Sequence, residues 1–315
     1  MSDAVERLAH TLEEALALLE DTARNLPASQ EDEADNGTLL QQCLAMCEPQ
    51  ERRQPEPVRT VHHFACTGGT LICKCIASMP NVQLLSEVDP LSPQVGQVTR
   101  PRFAPTDLVT LMRQSTCGAD DALVLELFQT GLKIIHRDAV DRGQRLVLRD
   151  HAHSHFCHGT TVPDRPTLRD MVQAVLPVRS VVTVRHPLES FAALLDKAWV
   201  HFAPDTLDEY CRRYGAFLDR HDGVRILRYE DFVSNPATTA QQICVQLDLV
   251  YSADFDDLFG VHRLTGDSGR AGEVIEARAL RPSARTLLPQ ALQSPDYLAL
   301  VERMGYPAKP AGGGA

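Results

Sequence analysis

Short apolar runs alternate with amphipathic stretches along most of the chain, and this alternation defines its architecture. The runs 61–66, 82–86, 145–150, 180–185 and 224–228 are read as strands. Val181-Val-Thr-Val184 is typical: apolar without alternation, as a strand is when helices cover both faces of its sheet. Helical spacing fits 70–79, 106–116, 121–142, 167–175, 188–200, 206–220 and 236–247. Strand–helix alternation of this kind predicts an α/β fold of three layers, a central parallel sheet of about five strands flanked by helices. Ligands on such sheets bind beyond the carboxyl ends of the strands. Cys66, Arg149, Arg185 and Tyr229 fall at those ends.

Ahead of the first strand the pattern changes. Val5, Leu8, Leu12, Ala15, Leu16 and Leu19 recur at helical spacing over residues 3–25, and Pro27 ends that helix. Ser29 to Gly37 is an acidic, solvated linker, residues 38–46 read as a short helix, and 48–57 are rich in charge and proline. The chain thus divides into a helical N-terminal arm with its linker (1–57), an α/β domain (58–308) and a disordered tail (309–315). The arm is expected either to cover the domain's own core or to make a homodimer contact.

Composition narrows the class. The chain has 315 residues, 43% of them hydrophobic, and a formal charge of −11. That balance argues against non-specific nucleic-acid binding, which needs clustered Lys and Arg. It leaves room for a small anionic ligand at a local arginine cluster. No run is long enough to span a bilayer, and the first residues lack the basic start and apolar core of a signal peptide. The nine cysteines are irregularly spaced without a Cys-x-x-Cys pair. A reduced, cytoplasmic setting is the expectation.

Candidate chemistry concentrates in Val61-His-His-Phe-Ala-Cys-Thr-Gly-Gly-Thr-Leu-Ile-Cys-Lys74. A strand runs into a glycine turn and then into a helix. Gly68 and Gly69 allow a tight turn and close approach to a ligand. Free N–H groups at the helix start, with the dipole behind them, suit phosphate. The Gly-x-x-x-x-Gly-Lys-Ser/Thr pattern of the Walker A loop is missing. Three further segments follow: the strand ending at Arg185 before Pro187, the strand running into Tyr229-Glu-Asp231, and the glycine loop Gly266-Asp-Ser-Gly-Arg-Ala-Gly272.

In order and spacing this set resembles the sulfotransferases that use 3′-phosphoadenosine-5′-phosphosulfate (PAPS), over roughly Thr60 to Arg281. The resemblance implies a P-loop-like sulfotransferase fold. It implies that Thr67, Gly68, Gly69, Thr70 and Leu71 bind the 5′-phosphosulfate. Arg185 and a Ser on the following helix would bind the 3′-phosphate, and the loop carrying Arg270 and Gly272 would close over the nucleotide. The chain departs from the family in two places. Cys66 stands where members carry Lys or Arg, and Ala193 stands eight positions after Arg185, where much of the family has Ser. Ser190 is the hydroxyl at hand. Arg149, at the place of Lys in the Lys-Thr-His triplet of cytosolic members, and Lys74 are the two substitutes for the missing cation. Arg149 is preferred, because Lys74 is expected to reach toward solvent.

Two residues qualify as the base. His151 occupies the place of the family's His in that triplet and titrates near neutral pH without much tuning. Glu87 follows the second strand near where tyrosylprotein sulfotransferases carry their catalytic Glu, with Asp89 beside it. His151, His153, His155, Cys157 and His158 alternate along a segment expected to be extended, but no metal is expected, since sulfuryl transfer needs none. The reading is a PAPS-dependent sulfotransferase acting on a hydroxyl or amine of a small-molecule or glycan acceptor, with adenosine 3′,5′-bisphosphate as the product. An ATP-dependent phosphotransferase of P-loop-like fold and a nucleotide-binding relative without catalysis are the alternatives.

Overall fold

A computed structural model of the protein describes residues 55–93, 103–265, 275–277 and 279–310. The expected N-terminal arm, apart from residues 55–57, and the end of the tail lie outside these residues. The architecture is the expected one: a parallel sheet of five strands between layers of helices. The strands are β1 (Val58–His63), β2 (Val82–Val88), β3 (Arg145–Asp150), β5 (Val178–Val184) and β7 (Arg225–Arg228), in the order β2-β3-β1-β5-β7. Two-residue strands β4 (His158–Gly159) and β6 (His201–Phe202) form a separate parallel pair.

The helices are α1 (Gly69–Ala77), α2 (Leu108–Arg113), α3 (Asp121–Asp141), α4 (Ala152–Phe156), α5 (Leu168–Gln173), α6 (Pro187–Asp196), α7 (Leu207–Arg220), α8 (Tyr229–Ser234), α9 (Pro236–Leu247), α10 (Phe255–Leu258), α11 (Pro282–Ala291) and α12 (Pro295–Arg303). Side-chain caps fix many of their starts. Asp120, Thr167, Thr206 and Asn235 each accept from the backbone N–H three residues on. None of these helices is long and apolar enough to cross a membrane.

β1 sits at the centre and begins earlier than its apolar pattern suggests. Arg59, Thr60, His62 and His63 are all buried in it. Each polar group has a partner, which is what burial demands. Arg59 donates to the carbonyls of Leu247 (2.9 Å), Pro57 (2.7 Å) and Asp248 (3.1 Å), so it ties the strand to the end of α9. The Thr60 and Ser180 hydroxyls meet at 2.8 Å across the β1–β5 pairing. The strand ends at His63, because Thr67 folds back and its hydroxyl donates to the Phe64 carbonyl at 2.7 Å.

Alternating side chains serve two cores. Val61, Val147 and Val181 pack with α1, α9 and α10 on one face. Phe64, Val182 and Val184 pack with α6, α7, α11 and α12 on the other. Phe64 stacks on Tyr214 with centroids 4.5 Å apart, and Tyr210 and Phe217 lie at 5.1 and 5.5 Å. The residue that starts the glycine turn is thus clamped in the aromatic core. Phe64→Ala is expected to cost about 3–5 kcal/mol of stability in urea unfolding, and Phe64→Leu clearly less.

Candidate functional site

The glycine turn lies at the carboxyl end of β1, held between two rings. Gly68 has φ +88°, and a Cβ there would come within 2.3 Å of the Tyr229 ring. A Cβ on Gly69 would come within 2.2 Å of the His63 ring. Both positions therefore need glycine for space, and Gly68 for its left-handed backbone as well. Cys66 also has positive φ, at +60°. α1 starts at Gly69 without a side-chain cap. Its first-turn N–H groups have no earlier helical carbonyl to bond, although Leu71 N–H already donates to Gly68 O at 3.1 Å. The Thr67 hydroxyl is spent on Phe64.

Arg149, at the end of β3, reaches this turn and is only 3% exposed. Its Nη2 donates to Thr70 Oγ1 at 2.9 Å. Its Nε donates to His63 Nε2 at 2.8 Å. Nη1 donates to Ser86 Oγ (3.0 Å) and to the Thr265 carbonyl (2.8 Å). The Glu87 carboxylate lies 3.3 Å from Nη2, the longest of these contacts. His63 is a site residue that no sequence motif marks. Because it accepts from a guanidinium that always donates, its Nε2 carries no proton, and its Nδ1 faces the Phe64 carbonyl at 3.3 Å. Burial, and then the charge of Arg149, hold it well below the ordinary histidine range, so it is neutral. Lys74, expected to reach toward solvent, is instead buried at 8% exposure.

Arg185 directly follows β5 and also meets Tyr229, its guanidinium carbon 4.9 Å from the ring centroid. Tyr229 thus connects Gly68 with Arg185. Among the described residues the guanidinium has one hydrogen-bond partner: Nη2 donates to Glu189 Oε2 at 2.7 Å. Glu189 in turn accepts from Arg281 N at 3.1 Å. The site residues of the sequence reading divide here. The structure brings Gly68, Gly69, Thr70, Glu87 and Arg149 together, and links Arg185 to them through Tyr229. Ser190 stands apart: it is fully buried in α6, and its hydroxyl donates to the His186 carbonyl at 3.0 Å. Arg270 and Gly272 lie outside the described residues. Within Tyr229-Glu-Asp231, Glu230 ties the segment into the fold by accepting from His186 N at 3.0 Å and from the Tyr306 hydroxyl at 2.6 Å.

His151 occupies the N-cap position of α4, two residues after Arg149 in sequence and close enough to His63 to act on its charge. Its Nδ1 lies 3.1 Å from Ser154 Oγ. Ser154 hydrogen-bonds Asp89, and Arg165 grips both oxygens of Asp89 at 2.8 and 2.7 Å. A carboxylate is the strongest acceptor in reach of the single serine proton. Ser154 therefore donates to Asp89 and accepts from His151 Nδ1–H, so the lone pair of His151 lies on Nε2. Asp89, considered beside Glu87 as a base, is engaged with Arg165 and orients His151 instead. Arg213, donating to the carbonyls of Phe156 and Gly159 at 3.0 Å each, fastens the segment after His151 to α7.

Residues 152–156 form a helix, not the extended segment expected from the alternating histidines. The three rings consequently do not line one face. His151 and His153 stack at 6.1 Å, while His155 turns to the Pro163 carbonyl at 3.1 Å. Burial, followed by the charges of His151, His201 and His158, pushes His153 down to about 3.

Gly69→Ala is expected to destabilise the protein by roughly 1–3 kcal/mol, because the His63 ring would have to yield and would disturb Arg149. Gly131→Ala in α3 has nothing within 4 Å of the added methyl and serves as the control. It should be neutral or stabilising by about 0.5–1 kcal/mol. Denaturant unfolding of both variants checks the pair.

No family model matches the chain, and no curated protein matches it. Among solved structures it is similar to the sulfotransferase domain from the curacin biosynthetic pathway, with a TM-score of 0.49 and 16% identity, covering 81% of this chain and 99% of that one. It is similar to the sulfotransferase domain of the Synechococcus PCC 7002 olefin synthase, with a TM-score of 0.47 and 16% identity over 82% and 98% of the two chains. A third likeness is to mouse sulfotransferase SULT7A1 complexed with PAP, with a TM-score of 0.36 and 10% identity over 78% and 88%. At these identities and scores the likenesses lend no weight to any residue's role, which rests on the geometry of the site.

Proposed function

We propose that the chain is a sulfotransferase that moves a sulfuryl group from PAPS to a hydroxyl or amine of a small-molecule or carbohydrate acceptor. One observation carries this reading. Two buried arginines, Arg149 and Arg185, end separate parallel strands and are both joined to one glycine turn, the first through Thr70 and His63 and the second through Tyr229. A nucleotide with anionic groups at its 5′ and 3′ positions asks for two such cations. The fit is uneven. Ser190 is unavailable for the 3′-phosphate, and Glu189 already holds one edge of Arg185, so an anion there would bind the remaining N–H groups.

When bound, PAPS supplies an activated sulfuryl group, with adenosine 3′,5′-bisphosphate as the leaving group. The residues of this chain do the rest by position and charge. The N–H groups that start α1, ahead of those of Leu71 and Ile72 already turned to the Gly68 carbonyl, donate to the anion. Arg149 presents a cation fixed by its own hydrogen bonds, so stabilising negative charge requires little rearrangement. Glu87, its most distant partner, is the contact an incoming anion would replace. His151 Nε2 takes the acceptor's proton, while Ser154, Asp89 and Arg165 hold the ring. Glu87 is the weaker candidate for this step because a guanidinium neutralises it.

Calorimetry with adenosine 3′,5′-bisphosphate and with AMP tests the donor. A lost charge-assisted hydrogen bond costs roughly 1.5–3 kcal/mol, so the bisphosphate should bind on the order of 10–100-fold more tightly. Arg185→Met should erase most of that difference. Equal affinity of the unaltered protein for both nucleotides would refute PAPS as donor, and turnover with ATP would point to the phosphotransferase.

Turnover over a panel of acceptors tests the base. His151→Ala should lower kcat by ~10²–10⁴-fold with bisphosphate affinity little changed. Asp89→Asn should lower kcat to a smaller extent without raising KM, as expected of a positioning residue. A larger loss of kcat in Glu87→Gln than in His151→Ala would transfer the role to Glu87.

A further inference from the structure

On the sheet face that packs against α7, three buried side chains from distant parts of the chain meet. They are His62 of β1, Asp150 at the end of β3 and His221 at the end of α7. One ligand-type atom of each lies within 4.8 Å of the others. Exposure is 0% for His62, 5% for Asp150 and 2% for His221. His62 Nδ1 and Asp150 Oδ2 are 2.7 Å apart, and the two imidazole centroids are 4.4 Å apart.

The second observation concerns the nitrogens. His221 Nδ1 lies 2.8 Å from the Phe217 carbonyl, which can only accept, so Nδ1 carries the proton. Nε2 is then a lone pair in the core, and among the described residues no hydrogen bond reaches it. Burying such a group unpaired is costly. The far nitrogen of His62 is likewise tied to oxygen, with Nε2 at 2.9 Å from Thr60 Oγ1. Histidines that ligate metals characteristically bond their outer nitrogen to oxygen in this way, which fixes the tautomer and aims the other nitrogen. An ion-free network running Asp150–His62–Thr60–Ser180 accounts for every member except His221 Nε2.

We propose that His62, Asp150 and His221 bind one divalent first-row transition metal, zinc foremost. Two imidazoles and one carboxylate suit such an ion, whereas calcium and magnesium prefer all-oxygen shells. The role is structural. Ligands 62, 150 and 221 join β1, β3 and α7, and Asp150 stands between Arg149 and His151, so the ion steadies the strand end that carries both. The site is independent of the sulfuryl-transfer reading.

The test is elemental analysis of tag-free, full-length protein purified from zinc-supplemented medium. About one zinc per chain is expected, falling below ~0.1 in both Asp150→Asn and His221→Phe. Stripping the metal with a chelator should lower the melting temperature, and added zinc should restore it. Cobalt should replace zinc and give visible ligand-field absorption. Unaltered protein below ~0.1 metal per chain, with a melting temperature that neither zinc nor cobalt moves, overturns the proposal. So does zinc that persists in both variants, since the ion would then sit elsewhere, for example at cysteines. The measurement on the unaltered protein stands even if a variant fails to fold.

Discussion

A buried guanidinium holds the strand ends together. Arg149 is taken out of water at the carboxyl end of β3, and a charge so placed is tolerated only when its donors are matched. Its five N–H groups meet His63, Ser86, the Thr265 carbonyl, Thr70 and Glu87. Those partners belong to β1, β2, the start of α1 and the chain that leads into the glycine loop. Satisfying one cation therefore sets the mutual position of four segments, and the cleft follows from that.

The glycine turn depends on the same arrangement from the other direction. The absent side chains of Gly68 and Gly69 make room for Tyr229 and His63, and these rings carry the turn's position to Arg185 and Arg149. His63 has a double part. It is a packing surface for Gly69 and a neutral acceptor for Arg149, and it can be neutral because burial and the neighbouring cation both disfavour its charged form. Without that acceptor, Nε of Arg149 would be an orphaned donor in the core.

His151 receives its orientation from a separate chain of contacts. Arg165 neutralises Asp89, Asp89 accepts a hydrogen bond from the Ser154 hydroxyl, and Ser154 accepts one from His151 Nδ1–H. Arg165 and Asp89 are 76 residues apart, and Ser154 and Asp89 are 65. The network therefore exists only once β2, β3 and the loop after α4 have assembled. Helix α4 and the hold of Arg213 on Phe156 and Gly159 keep that loop against α7.

The chain's own pattern determined the five strands and their parallel arrangement, because short apolar runs alternating with amphipathic helices fit a sheet covered on both faces, although the central strand β1 also buries Arg59, Thr60, His62 and His63. It also determined the helix starts that carry a local cap, such as Thr167 and Thr206, since a cap reaches only three residues. The glycine turn and the arginines at strand ends were legible for the same reason: each depends on a neighbour in sequence. Tertiary structure decided what depends on distant partners. β1 begins at Val58 because Arg59 finds carbonyls at the end of α9. The segment after His151 coils instead of extending, Ser190 turns back into its own helix, and Lys74 is enclosed rather than solvated. His63, Asp89, Ser154 and Arg165 acquire their places in the site only through contacts across the fold. Hydrophobic periodicity records which face a residue shows to the core, but the partner of a buried polar group is chosen by the packing of the whole domain.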